Sequence, residues 1–159
     1  MTPAALSQLF ARDLVRWKEQ IEAFPDDSTL WQLAPGITNS AGNLTLHLEG
    51  NLRGFIGNEL AGIPYERRRQ DEFGGIAGLP KADLISRITA LEAWLPAAVA
   101  ALTPQQLESE FPKQVWGRPL NTGQFLIHLY GHLNYHLGQI GYLRRMLTGA
   151  SAIHLAELE

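Results

Sequence analysis

An all-α fold, a four-helix bundle with a long connection between its third and fourth helices, is what this sequence predicts, and three observations predict it. Four segments repeat apolar residues at spacings of three and four, and none alternates convincingly between apolar and polar residues. The punctuation between them is also helical, with Thr-Pro, Ser or Asn at the starts and Gly or Pro at the stops. A single domain spanning 1–159 is expected: 159 residues suffice to bury a core without disulfides or a structural metal, and no repeat or linker divides the chain.

The first helix opens on Thr2 and Pro3, a cap and a first-turn residue, and carries Leu6, Leu9, Phe10, Leu14, Trp17 and Ile21 on one face. It should end near Phe24, because Pro25 disfavours a helical residue before it and "PDDST" supplies turn formers. The second helix starts near Ser40, with Leu44, Leu48, Leu52, Phe55, Ile56 and Leu60 as its apolar face, and stops at Gly62 and Pro64. Gly42, Gly50, Gly54 and Gly57 lie inside it. Each glycine costs roughly 1 kcal/mol against alanine, so close approach of another helix or of a ligand must compensate.

Residues 65–79 form a polar connection. Within it "ERRRQDEF", residues 66–73, mixes both charge signs and reads as a solvated loop rather than a phosphate clamp, although its arginines can still attract an anionic substrate. The third helix runs through Leu84, Ile88, Leu91, Leu95, Val99 and Leu102, and Pro96 should kink or divide it. "QQLESEFPKQVWGRPLNTG" reads as a short helical turn with extended pieces, long enough to cross the bundle, so a simple up-down-up-down order is not required. Asn121 and Gln124 then form a capping box for the fourth helix, apolar at Phe125, Leu129, Leu133, Leu137, Ile140 and Leu147. Arg144 and Arg145 suit the negative end of its dipole and Gly149 its stop. The tail "ASAIHLAELE" either covers the bundle or frays. Trp17, Trp31, Trp94 and Trp116 read as core or rim packing rather than substrate platforms.

Composition narrows the function. A formal charge of -3 provides no general electrostatic footprint for nucleic acid, so none is expected as partner. The chain has no cysteine, which excludes disulfides, thiolate metal ligands and a cysteine nucleophile of its own. No segment approaches the roughly 20 apolar residues of a membrane span, and the start lacks a signal-peptide pattern, so no membrane partner and a cytoplasmic location are expected.

The stretch "HLYGHLNYHLGQ", residues 128–139, concentrates chemistry: it holds three of the chain's five histidines, each four residues from the next. Four residues advance a helix by about 400°, leaving neighbouring rings about 40° apart and about 6 Å apart along the axis, so either adjacent pair can reach one ion. His128 and His136 are about 12 Å apart along that axis, too far for all three to bind one ion at about 2.0–2.1 Å. A pair at this spacing can equally be core histidines with satisfied ring nitrogens. A third ligand from another helix would favour metal, and His47 is the candidate within a strongly patterned helix. Asn43 and Asn51 flank it at four-residue spacing, making a polar stripe that needs partners: hydrogen bonds in the core, or an ion shared with the fourth helix and asparagines along its open side.

"GITNSAGNLTLHLEGNLRGFIG" followed by "HLYGHLNYHLGQI" resembles the DinB-like superfamily of bacterial four-helix proteins, and the likeness extends over nearly the whole chain, including "YERRRQDEF" and the terminal "LRRML". Its most specific piece is a second-helix histidine combined with H-x-x-x-H-x-G-Q. The resemblance implies a bundle in which His47, His132 and His136 bind a divalent metal. Where the family motif often has another histidine before the last ligand, this chain has Tyr135, so a secondary proton donor is replaced or absent. His128 is assigned to structure or to support of the ligands, and Gln139, Asn43 and Asn51 are further support candidates. Three neutral imidazoles leave coordination positions open and suit Zn²⁺, Ni²⁺ or Fe²⁺ better than Ca²⁺ or Mg²⁺.

Relatives in that superfamily include metal-dependent transferases and isomerases that use a low-molecular-weight thiol such as bacillithiol or mycothiol. The resemblance therefore implies a thiol S-transferase or related detoxification enzyme, with an exogenous thiol and a small-molecule substrate as partners, and pairing as a homodimer. Two other readings keep the same triad: a metal-dependent hydrolase of a small substrate, and a non-catalytic metal-binding stress-response protein.

Overall fold

Caps and stops set the helix boundaries as the sequence predicts. The structure, a computed structural model, describes residues 2–75 and 78–153. The end of the tail, including His154, lies outside the described residues. In α1 (Pro3–Glu22) the Thr2 hydroxyl accepts from the Ala5 N–H at 3.2 Å. Leu6, Phe10, Leu14, Trp17 and Ile21 are buried, with Leu9 at the edge of that face. "PDDST" is more than a turn: Asp26 caps a short helix, α2 (Asp27–Trp31), accepting from the Thr29 N–H at 2.7 Å. That hydrogen bond and those from the Ser28 and Thr29 hydroxyls hold the Asp26 carboxyl at a pKa of about 2.

Next comes α3 (Ala41–Leu52), capped by a Ser40–Asn43 box and buried at every position. The predicted apolar face is thus part of a central helix contacted on all sides, by α2, α4, α7 and the connection that follows it. Three of its four suspect glycines are explained by close approach. A Cβ on Gly42 would lie 2.6 Å from the Trp31 ring, one on Gly57 would lie 3.1 Å from Trp94, and one on Gly50 would collide with the Glu72 carboxylate. The helix does not continue evenly to Gly62: Arg53–Asn58 loosens into a π-helical turn that presents Phe55 beside the site described below. Gly62, at φ 64°, ends it.

The third predicted helix is divided where Pro96 requires, into α4 (Lys81–Glu92) and α5 (Leu95–Ala100), which together cover α1. The crossing connection contains α6 (Pro104–Glu108), with a Thr103–Gln106 capping box, and two isolated antiparallel bridges, Glu110 with Asn121 and Val115 with Arg118. The last helix, α7 (Thr122–Thr148), has the Asn121–Gln124 box at its start and Gly149 at φ 69° at its end. Long helical segments α1, α3, α4–α5 and α7 share one apolar core, so the fold is all-α as expected. Among the described residues no helix is long and apolar enough to cross a membrane.

Candidate metal centre

Histidines from two distant segments meet where α3 and α7 cross. His47 projects from the middle of α3 towards His132 and His136, which lie on successive turns of α7. Nε2 of His132 is 3.2 Å from Nε2 of His47 and 3.0 Å from Nε2 of His136. One ligand atom from each ring lies within 4.8 Å of the other two. Two nitrogens held at about 2.0–2.1 Å from one ion are about 2.9 Å apart at a right angle and about 3.3 Å apart at a tetrahedral angle. The observed spacings match that requirement, so this group can hold a metal ion.

The outer ring nitrogens fix the tautomers. His47 Nδ1 donates to Glu72 Oε2 at 2.8 Å, and His136 Nδ1 donates to Gln139 Oε1 at 2.7 Å. With those protons outside, the Nε2 lone pairs of both rings turn to the centre. Protonation is suppressed as well. Burial, then the neighbouring histidines and Arg67, lowers the His132 pKa to about 3, and burial lowers that of His136 despite the bond to Gln139. Neutral imidazoles with converging lone pairs are the state that divalent transition metals require.

Acid should therefore weaken the metal-free protein. The unfolded chain takes up protons at its histidines near pH 6.5, whereas the folded His132 resists until about pH 3. Between those values the unfolded state binds more protons, so stability rises with pH there and levels off above it. Urea midpoints of chelator-treated protein are expected to fall steadily as pH drops below about 6.5; a flat profile to pH 5 would contradict this account.

Glu72 is the residue that reading the sequence missed. The connection "ERRRQDEF" is not simply solvated: its π-helical turn, Asp71–Gly75, packs on α3 and buries Glu72. Arg67 grips that carboxylate with both ends of its fork, Nε to Oε1 at 2.6 Å and an Nη to Oε2 at 2.8 Å. Burial pushes the Glu72 pKa up, but the Arg67 and His47 hydrogen bonds outweigh it and the net shift is down. The result is a carboxylate–histidine pair oriented by a guanidinium. Glu72→Ala is expected to lower metal affinity roughly 10–100-fold, read by chelator competition, because the ligand ring loses its orienting partner.

The support candidates divide. Asn51 Nδ2 lies 3.1 Å from both the Nε2 and the carbonyl oxygen of His47, and Gln139 holds His136, so both contact histidines of the triad. Asn43 does not line an open side: its oxygen serves the Ser40 cap and its Nδ2 donates to the Glu72 carbonyl, fastening the connection instead. His128 is exposed and outside the triad, with its ring stacked 6.2 Å from that of His132. Tyr135 is also exposed, its ring 5.0 Å from that of His136. Of the tryptophans, Trp17 is core, Trp31 and Trp94 pack against glycines, and Trp116, 60% exposed, packs at the rim, edge-on to Phe125 at 6.2 Å and to His128 at 4.6 Å.

Beside the triad opens a cleft of about 370 Å³, with His47 and His132 among its lining and Arg67, Phe55, Phe125 and Trp116 around them. A small molecule in it would lie against two of the three triad histidines.

No curated protein matches the chain. Two solved structures share its fold: a DinB-like protein from Bacillus cereus ATCC 10987, at 18% identity and TM-score 0.72 over 95% of each chain, and a conserved protein from Enterococcus faecalis. The latter is 19% identical, with TM-score 0.72 over 94% of this chain and 99% of the other. The family model of the DinB superfamily matches residues 4–140, which span His47, Glu72, His132, His136 and Gln139, and the chain belongs to that superfamily.

Proposed function

We propose that the protein is a divalent-metal-dependent enzyme, a thiol S-transferase or related detoxification enzyme that joins an exogenous low-molecular-weight thiol to a small electrophile in the cytoplasm. The observation that carries the reading is the convergence of three imidazole Nε2 atoms beside an open cleft. His47, His132 and His136 would hold Zn²⁺, Ni²⁺ or Fe²⁺, with nitrogen donors that suit those ions. A bound ion supplies positive charge that lowers the pKa of a coordinated thiol and favours the thiolate. Glu72 and Gln139 keep the ligand rings turned inward, and Arg67 keeps Glu72 ionised. The thiol must come from outside, since the chain has no cysteine.

Metal analysis of protein purified without an affinity tag, with His47→Ala and His136→Ala alongside, tests the ligands. About one ion per chain is expected in the parent and little in either variant. Products are then compared with and without added thiol across an electrophile panel. A thioether adduct supports the transferase, consumption without thiol supports a hydrolase on the same triad, and metal-dependent melting without consumption supports a binding protein.

Pairing of two copies belongs to the same proposal. Ile127, Tyr135, Tyr142 and Met146 lie exposed along one face of α7 at helical spacing, an apolar stripe suited to a second copy. Light scattering at twice the chain mass is the expected result, and the mass of a single chain would reject it.

A further inference from the structure

The cleft beside the triad has a chemical character of its own. Two arginines, Arg67 and Arg69, line it together with the rings of Phe55, Phe125, Trp116 and His128 beside those of His47 and His132, and among the described residues no carboxylate does. Glu72 offsets the charge of Arg67. Arg69 is exposed, makes no ion pair among the described residues, and lies over the Phe73 ring at 5.4 Å. Phe73 in turn packs on His47, with ring centroids 5.0 Å apart. A cation is thus held at one end of a stack that begins at a triad histidine.

A second stack in the same cleft repeats the arrangement with an aromatic end. Trp116 meets His128 edge-on with centroids 4.6 Å apart, and His128 stacks towards His132. Trp116 also has φ 56°, in a turn whose next residue, Gly117, has φ 67°. Such turns favour Asn-Gly or Gly-Gly, and a bulky side chain at positive φ is strained. A strained backbone that leaves an indole 60% exposed in the lining of a cleft, with its ring edge-on to the buried Phe125 at 6.2 Å, points to a ligand.

We propose that this cleft binds a small organic anion, a carboxylate on a flat unsaturated or aromatic body, with Arg69 holding the carboxylate and Trp116 the body. The proposal builds on the function proposed above, since it makes such an anion the electrophile presented to the triad. Arg69 and Trp116 then determine specificity, and neutral or cationic analogues bind more weakly.

Calorimetry with benzoate and its neutral isostere benzamide, on Zn²⁺-loaded protein, Arg69→Gln and Trp116→Gly, provides the test. Both positions are exposed, and glycine adopts the backbone of residue 116 without strain, so the variants fold. Benzoate should bind about tenfold more tightly than benzamide, and Arg69→Gln should erase the difference. Trp116→Gly should weaken both probes about fivefold. Equal affinities for the two probes, or a preference that survives Arg69→Gln, overturns the proposal. Repetition on chelator-treated protein separates the two readings. A preference that needs the ion and ignores Arg69 means that the carboxylate coordinates metal, which rejects this site and leaves the metal centre standing. An Arg69-dependent preference in protein that takes up no ion rejects the metal centre alone.

Discussion

Exchange of His132 for alanine leaves the protein without stoichiometric metal and weakens its affinity for the ion about a thousandfold, the loss of roughly 4 kcal/mol of ligation. His132 has the largest expected effect because its Nε2 stands within 3.2 Å of the other two donors and bridges the contribution of α3 to that of α7. The variant carries a second signature. Because His132 is the ring held down to a pKa of about 3, its removal should flatten the acid limb of the metal-free stability profile while removing metal from the loaded protein. Titration with a chromophoric chelator and urea melts between pH 5 and 8 measure the two effects. Metal bound as tightly as in the parent would reject the triad.

Gly50→Ala is expected to destabilise the fold by about 3 kcal/mol and to lower metal affinity at least about tenfold. A Cβ there would collide with the Glu72 carboxylate and come within 3.2 Å of Arg67 Nε. The clamp must move, and with it the hydrogen bond that orients His47. Gly54→Ala is the control: its Cβ would meet Arg67 at an ordinary 3.6 Å, and stability should change little. Denaturant midpoints and chelator competition on both variants decide the matter. If Gly50→Ala matches Gly54→Ala in both, close approach is not why position 50 is glycine.

Much of the bundle was readable from one-dimensional patterns because its caps are local. Ser40 with Asn43, and Asn121 with Gln124, each close a bond within three residues. His132 and His136 were readable as one pair for the same reason, since a helix puts i and i+4 on one side. Spacing alone left His128 and His132 as an equal alternative, and the choice came from the family resemblance; the crossing with α3 agrees with it. Glu72 and Arg67 carried no such mark. Their role depends on a connection without periodicity folding back across α3, a contact 25 residues long in the case of His47 and Glu72. The glycine at position 50 was the visible trace of that contact, a demand for space whose occupant could not be named. Trp116 packs at the rim as expected, but the positive φ that turns its ring outwards left no mark in the composition, which reports a ring's preference for burial and not its backbone conformation.

The split of the ligands between α3 and α7 also has a meaning in time. Chains emerge from the ribosome amino end first, so His47 and the Glu72 clamp are synthesised well before α7. Until residue 136 has been synthesised, at most two of the three rings are present and only the pair of His47 with His132 can form. An ion held by this set of donors would therefore arrive only once α7 has been made, sewing that helix to a part of the chain synthesised well before it.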